Sequence, residues 1–270
     1  QSTVSRNMAR SGGGVANGFF DEDVPGPLVL TQTLLAGNTA DNAISADCVS
    51  LQGPLTSLGR NLVGVGTGCP SDGPGDLSVD PAVVFTTVLG PLQFNGGPTE
   101  THALLPGSPA MDAGNAGCAD GNGQPLPTDQ RGKARPVDGN GDGTPACDIG
   151  AFEFFPMLND LVTLASGLAT SFHPTPVSGG PAGTFTITAT FTNTSNTPLR
   201  FLFFGVHELS GGNLLLNADS GPGGVGATLT PATGDAVFAA GETVTVEFVI
   251  GLQTRARFTF LVDLFGESMH

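Results

Sequence analysis

The sequence predicts an all-β protein in two parts: a solenoid of short strands over residues 1–156, then an antiparallel β-sandwich over residues 157–270. Three observations predict it. Glycine (41) and proline (21) are abundant while charged residues make up only 12%, which suits short strands joined by tight turns and excludes long helices. A β-prone segment at the start recurs in the next coil-length of chain. Beyond residue 157 the apolar side chains alternate with polar ones, the period of a half-buried strand.

The repeat aligns QSTVSRNMA (residues 1–9) with QTLLAGNTA (residues 32–40). Gln1 meets Gln32, Ser2 meets Thr33, Val4 meets Leu35, Asn7 meets Asn38 and Ala9 meets Ala40. A weaker echo, SLGRNLVG at residues 57–64, sets Asn61 in the asparagine position. An asparagine before a small residue turns the chain through the left-handed region and hydrogen-bonds along a stack. The segments that follow, up to CDIGAFEF, carry prolines every few residues and read as terminal coils and a cap. A cap is required because an open end leaves backbone groups unpaired and core exposed.

In the second part, GTFTITATFTNTS sends Phe185, Ile187, Ala189 and Phe191 to one face. ETVTVEFVIG does the same with Val244, Val246, Phe248 and Ile250, and RARFTFLVDLFG with Phe258, Phe260, Val262 and Leu264. PLRFLFFGVHEL is apolar on both faces, with Leu199, Phe201 and Phe203 on one and Leu202, Phe204 and Val206 on the other. Such a strand is either sandwiched or covers a partner. This number of strands in so short a chain suggests an Ig-like sandwich, in which Phe replaces the absent Trp.

A net charge of −15 with a single lysine, Lys133, argues against nucleic acid as a partner. The sequence has no apolar run long enough for a membrane helix and opens with no charged-then-apolar leader. The four cysteines form two local groups, Cys48 with Cys69 and Cys118 with Cys147, none of them a C-x-x-C. Two local disulfides and an oxidising compartment are expected, rather than zinc.

GGGVAN, LVLTQTLLAGNTA, LGRNLVG, GDLSVDPAV, LPGSPAMDAG, DQRGKARPVDGNGDG and CDIGAFE, in that order, resemble the C-terminal portion of secreted bacterial right-handed parallel β-helix proteins, the pectate-lyase-like "choice-of-anchor" surface proteins. The resemblance covers residues 1–153. It implies terminal coils and cap of a right-handed parallel β-helix, followed by a variable module, and an extracellular or cell-surface location. It does not imply lyase activity, since the architecture carries enzymes, adhesins and structural proteins alike. The module resembles bacterial extracellular Ig-like modules. The chain opens inside a repeat, so the first coil is completed either by more of a longer protein or by another subunit.

Candidate chemistry is sparse. Asp138, Asn140 and Asp142 form D-x-N-x-D-G, the first half of a calcium loop, with Asp148 as a late ligand; the position of the bidentate glutamate is Ile149. The plain alternative is a glycine-rich turn. DAGNAGCADGNG, with Asp112, Asp120 and Asn122, is a weaker second candidate. A lyase needs a base and cations against uronate, here Arg131, Lys133 or Arg135 near Asp129, but their place in the cap favours a structural salt bridge. Asp41, Asp47, Asp72, Asp76 and Asp80 fall mostly in loops and suggest an acidic surface. His102 has no nucleophile in motif context and is expected to be packed. Tyr and Trp are absent, which weakens glycan-stacking readings. The expectation is therefore a non-enzymatic structural or adhesive surface protein. Copies or a protein partner would add a strand at the open first coil, head to tail, with Leu199, Phe201, Leu202, Phe203, Phe204 and Val206 as a second contact. A polysaccharide-active or glycan-binding protein is the alternative.

Overall fold

The structure, a computed structural model, describes residues 1–18, 26–41, 46–51, 53–165, 167–232 and 236–269. It is all-β. The chain divides into two compact units, Gln1–Leu92 with His102–Phe154, and Gln93–Thr101 with Phe155–His270.

In the first unit the same four strand positions recur. β1 (Thr3–Val4), β2 (Met8–Ala9), β3 (Val15–Asn17) and β4 (Leu28–Leu30) are followed by β5 (Leu34–Leu35), β6 (Thr39–Ala40), β7 (Cys48–Ser50) and β8 (Leu55–Ser57). Each of the first four pairs in parallel with its counterpart in the second set. β9 (Leu62–Gly64) then joins β5, and β10 (Leu77–Val79) joins β9, which makes a parallel sheet in the order β1-β5-β9-β10.

The repeat is visible as side-chain stacking. Gln1 donates to Gln32 at 3.0 Å, and the backbone and side-chain nitrogens of Asn7 both donate to Oδ1 of Asn38 at 3.0 Å. The third echo is misplaced by the sequence alignment. Leu62 pairs with Leu34, so Asn61 aligns with Thr33 rather than Asn38. Its Oδ1 accepts from the Thr33 N–H at 2.9 Å, and its amide is held by Asp76 at 3.1 Å. The chain between coils varies in length, so Asn-Gly corners alone do not carry the register.

Adjacent residues of each short strand serve different cores, as the pleat requires. Leu35 and Val63 face inward with Leu30 and Cys48. Leu34 and Leu62 enter a second cluster with Val84, Val88, Leu89, Leu104 and Ile149. The parallel sheet is therefore buried on both faces, and its second face is covered by the chain that follows β10. That chain runs through a 3-10 turn (Pro81–Val83), capped by Asp80 accepting from Ala82 at 2.9 Å, and a π turn (Val84–Val88). The paired strands β11 (Leu89–Gln93) and β12 (Thr101–Leu104) come next. Residues 105–154 form no regular strand, only isolated bridges such as Val137 to Ala146. Both expected disulfides are present, Cys48–Cys69 and Cys118–Cys147, with Cα separations of 4.8 and 5.5 Å.

The second unit contains two antiparallel sheets. One joins β13 (Val162–Leu164) and β14 (Ala169–His173) to the same edge of β15 (Thr184–Asn193). β16 (Leu199–Leu209) belongs to the other sheet. β17 (Leu214–Leu215) completes the first sheet through β20 (Thr243–Gly251). β16 carries β18 (Thr228–Leu229) and β19 (Val237–Phe238), and pairs with β21 (Phe260–Ser268). The inward faces read from alternation line one core, with Val244, Val246, Phe248 and Ile250 fully enclosed and Phe185, Ile187 and Phe191 partly so.

β16 departs from strict alternation. Its register slips between Arg200 and Phe203, and Phe201 has φ +55°. This bulge adds one residue, so Leu199 falls on the same face as Leu202, Phe204 and Val206, all in the core. Phe203 turns to the other face, stacked 5.3 Å from Phe265 and edge-on to Phe155. Five of the six residues expected to offer a docking surface are buried in the unit's own interior, and only Phe201 reaches solvent, at 36%. The strand is sandwiched, and its two apolar faces are used within the chain.

Leu35→Ala should destabilise the protein by about 2–5 kcal/mol in urea denaturation, because its site is fully enclosed. Leu58→Ala, 59% exposed in the same unit, should stay within about 0.5 kcal/mol.

Candidate functional site

Residues 105–154 cover an apolar sheet face without a strand ladder of their own. Their backbone N–H groups still need acceptors. Carboxylates supply them. Asp112 accepts from Asn140 at 2.9 Å and from Gly139 and Ala146 at 3.4 Å. Asp120 closes its turn by accepting from Asn122 and Gln124, both at 2.8 Å. Asp129 accepts from the N–H groups of Arg131 (2.8 Å), Lys133 (3.1 Å) and Glu153 (3.0 Å).

The D-x-N-x-D-G segment follows the same rule. Asp138 Oδ1 accepts from Gly141 (2.8 Å) and Asp142 (3.1 Å), and its Oδ2 accepts from Gly143 (2.8 Å). Asn140 accepts from Asp142 and Asp142 from Thr144. Asp148 does not join them. Its Oδ1 accepts from Asp112 N at 2.7 Å and its Oδ2 from Phe154 N at 2.5 Å, inside the fold. The four sequence-predicted calcium ligands thus do not converge. Among the described residues no group of three or more His, Cys, Asp or Glu side chains is arranged to hold a metal.

Beneath this turn lies a buried knot of charge. Glu153 is fully enclosed; Oε1 accepts from Val137 N at 2.9 Å, and Oε2 from Asp148 N at 3.1 Å. Arg135 Nε approaches Oε2 to 3.1 Å, a charge contact without aligned hydrogen-bond geometry. The Arg135 Nη2 donates to the Gly150 carbonyl at 3.0 Å and its Nη1 to Gln1. Arg131 pairs with Asp129 at 2.8 Å, donates to the Glu153 carbonyl at 2.5 Å, and lies 3.5 Å over the Phe152 ring. The salt bridge expected for Arg131 is thus present.

Burial dominates the protonation of this knot. Glu153 is pushed up to about 9 by desolvation and then by the charge of Asp148, against the pull of Arg135. Asp148 is raised to about 7 by desolvation and then by Asp112. Asp112 is raised as well, chiefly by desolvation, and burial lowers Arg131. At neutral pH Glu153 holds a proton that an exposed carboxyl would have lost.

Chemically, this arrangement fixes chain. Arg131 and Arg135 are enclosed and engaged. His102 is buried with Nδ1 2.7 Å from the Gly90 carbonyl, its ring 5.9 Å from Phe85. Of the five aspartates expected on an acidic surface, Asp41, Asp72 and Asp80 are exposed, and the other two need correction. Asp47 is fully buried and accepts from both nitrogens of Asn38, at 2.9 and 2.8 Å, while Asp76 holds Asn61 N and Gly73 N. Sequence reasoning passed over Glu153 and placed Asp47 on the surface. The available signal was a carboxylate inside a glycine-rich stretch that contains apolar residues but no alternation. Compared with known proteins, the chain matches no family model, no curated protein and no solved structure.

The pH dependence follows from the sign of these shifts. Because the folded form holds protons on Glu153 and Asp148 that the unfolded form releases near 4.5 and 3.8, their stabilisation is full at low pH. It is lost as pH rises toward about 7 for Asp148 and about 9 for Glu153. Thermal midpoints should fall by about 5 °C or more between those limits. Glu153→Gln should flatten the upper part of that profile. Asp138→Ala, which orphans three N–H groups, should cost about 1–3 kcal/mol at any of these pH values.

Proposed function

We propose that the chain is a non-enzymatic structural or adhesive part of an extracellular or cell-surface protein. In this reading the first unit is the terminal coils and cap of a right-handed parallel β-helix, akin to the choice-of-anchor proteins it resembles. The second unit is an Ig-like sandwich serving as an interaction module. Parallel ladders between successive coils and the Gln1–Gln32 and Asn7–Asn38 stacks support the first assignment. Two facing antiparallel sheets with a phenylalanine-rich core support the second. Two disulfides favour an oxidising compartment.

The observation that carries the non-enzymatic reading is the engagement of the cations. A lyase requires Arg131, Lys133 or Arg135 at a substrate, whereas Arg131 and Arg135 lie buried against Asp129 and Glu153. The second face of the β1-β5-β9-β10 sheet is filled by Val84, Val88, Leu89 and Ile149. Uronate polymers incubated with the protein should show no gain in reducing ends, with or without calcium. Depolymerisation abolished by Arg131→Ala would overturn this reading.

The glycan-binding alternative has one favourable observation, a polar cleft of about 410 Å³ in the first unit lined by Gln32, Arg60 and Asn115. It predicts retention of the protein on an acidic glycan column, lost in Arg60→Ala. The calcium-stabilised spacer is a third reading. It predicts a midpoint that falls in chelator, whereas the oxygens of Asp138, Asn140 and Asp142 already engaged by N–H groups predict no change.

β1, β2 and β3 are paired on one side only among the described residues. Such a rim is completed by further turns of the same polypeptide or by a second copy adding strands head to tail. Sedimentation velocity over a hundredfold concentration range tests the second arrangement. Growth to species larger than a dimer supports it, and a persistent monomer removes it.

A further inference from the structure

The second unit leaves one flank of its sandwich unfilled. Among the described residues β14 is bonded to β15 alone, and all five of its residues are exposed. Phe172 stands opposite Phe185 in the register and so shares its face, the face that turns toward the core, yet it is 44% exposed. Phe185 and Ile187 are themselves only partly covered. Phe258 and Phe260 are in the same condition across the gap. Residues that alternation assigns to the interior are thus left open, and together they line a cleft of about 690 Å³.

The opposite sheet ends at the same place. β21 is paired with β16 along one edge. Along its other edge the second half is closed by the segment around Met157, which bridges Phe265, with Leu158 donating to the Leu264 carbonyl at 2.8 Å. The first half, near Phe260, has no strand on that side among the described residues. Two sheet edges therefore border one apolar trough. Exposed edges of this kind are templates for strand addition.

The mouth of the trough is positive. Arg255 and Arg257 line it, and no acidic side chain does, in a chain with 24 acidic and 9 basic residues. Arg255 lies 5.5 Å over the Phe172 ring and donates two long bonds, 3.2 Å each, to the carbonyls of Ala182 and Pro174. Arg257 forms no ion pair among the described residues. A sugar would look for carboxylates and amides on which to bond its hydroxyls, and this lining has neither.

We propose that this trough docks an extended segment of a partner protein whose trough-facing positions, every second residue, carry phenylalanine or valine, with Asp or Glu on the same face at the end that reaches Arg255. The segment adds as a strand along β14. Its apolar side chains enter beside Phe172, Phe185 and Phe258, and the acids that continue that face meet Arg255, held near the Pro174 carbonyl, and Arg257. Main-chain bonds supply affinity, while the pockets and charges supply selectivity.

The probe is a fluorescein-labelled ten-residue peptide in which one strand face carries Phe and Val followed by Glu and Asp, with Thr and Ser on the other face, titrated with the full chain and followed by anisotropy. Its comparators are the same peptide with Lys in place of every acid and one with Pro at alternate positions. The acidic peptide should bind at least tenfold more tightly than either, with affinity falling as salt rises. Arg257→Glu should weaken it by about tenfold and shift preference toward the lysine peptide. Phe172→Ser, an exposed edge substitution, should weaken it by a similar factor without moving the thermal midpoint. Amides of residues 169–173 should gain hydrogen-exchange protection only with the acidic peptide. Equal binding of the acidic and basic peptides, no binding, or binding untouched by Phe172→Ser overturns the proposal. So does concentration-dependent dimerisation, without peptide, that Phe172→Ser abolishes, since a second copy would then be the occupant.

Discussion

Everything in the first unit depends on covering the second face of its parallel sheet. Leu34 and Leu62 are completely enclosed, but the inner core is filled by their neighbours Leu35 and Val63. An apolar face of that kind is unstable in water, so another layer must lie on it. The layer here is mostly irregular chain, and irregular chain brings unpaired N–H and C=O groups with it. Burying those without partners would cost more than the leucines gain. The carboxylates of Asp112, Asp129, Asp138, Asp148 and Glu153 solve the problem by acting as fixed acceptors. Acids whose spacing suggests calcium ligands or a lone salt bridge in the sequence are thus the hydrogen-bonding frame of the cover.

This solution has its own electrostatic consequence. Burial raises both Asp148 and Glu153, the charge of Asp112 adds to the first and that of Asp148 to the second, and Arg135 only partly offsets the effect. The cover's cations are consumed by the same frame, with Arg131 held between Asp129 and the Phe152 ring.

The second unit meets the opposite situation. Its two sheets face each other over a continuous core, yet cover is missing beside β14. The faces of Phe185, Phe258 and Phe260 were legible as inward from alternation, but their exposure was not, because alternation says which way a side chain points and nothing about what lies above it. The doubly apolar strand β16 misled in the reverse direction. Its two apolar faces suggested a surface for a partner, whereas the bulge at Phe201 puts Leu199 and Leu202 on one face and leaves Phe203 to pack against Phe155 and Phe265.

By itself, the sequence determined the all-β class, the coil repeat of Gln1 with Gln32 and Asn7 with Asn38, the two disulfides, and the alternating faces of β15, β20 and β21. These are consequences of local chain geometry: side-chain period, turn residues and loop length act over a few residues or between near copies of one segment. Only the tertiary structure decided that Asn61 aligns with Thr33, that Glu153 and Asp47 are interior, that the calcium-like oxygens serve backbone N–H groups, and which flank of the sandwich stays open. Each of these depends on what distant parts of the chain bring within a few ångströms, and burial and hydrogen-bond satisfaction are properties of that neighbourhood rather than of any segment.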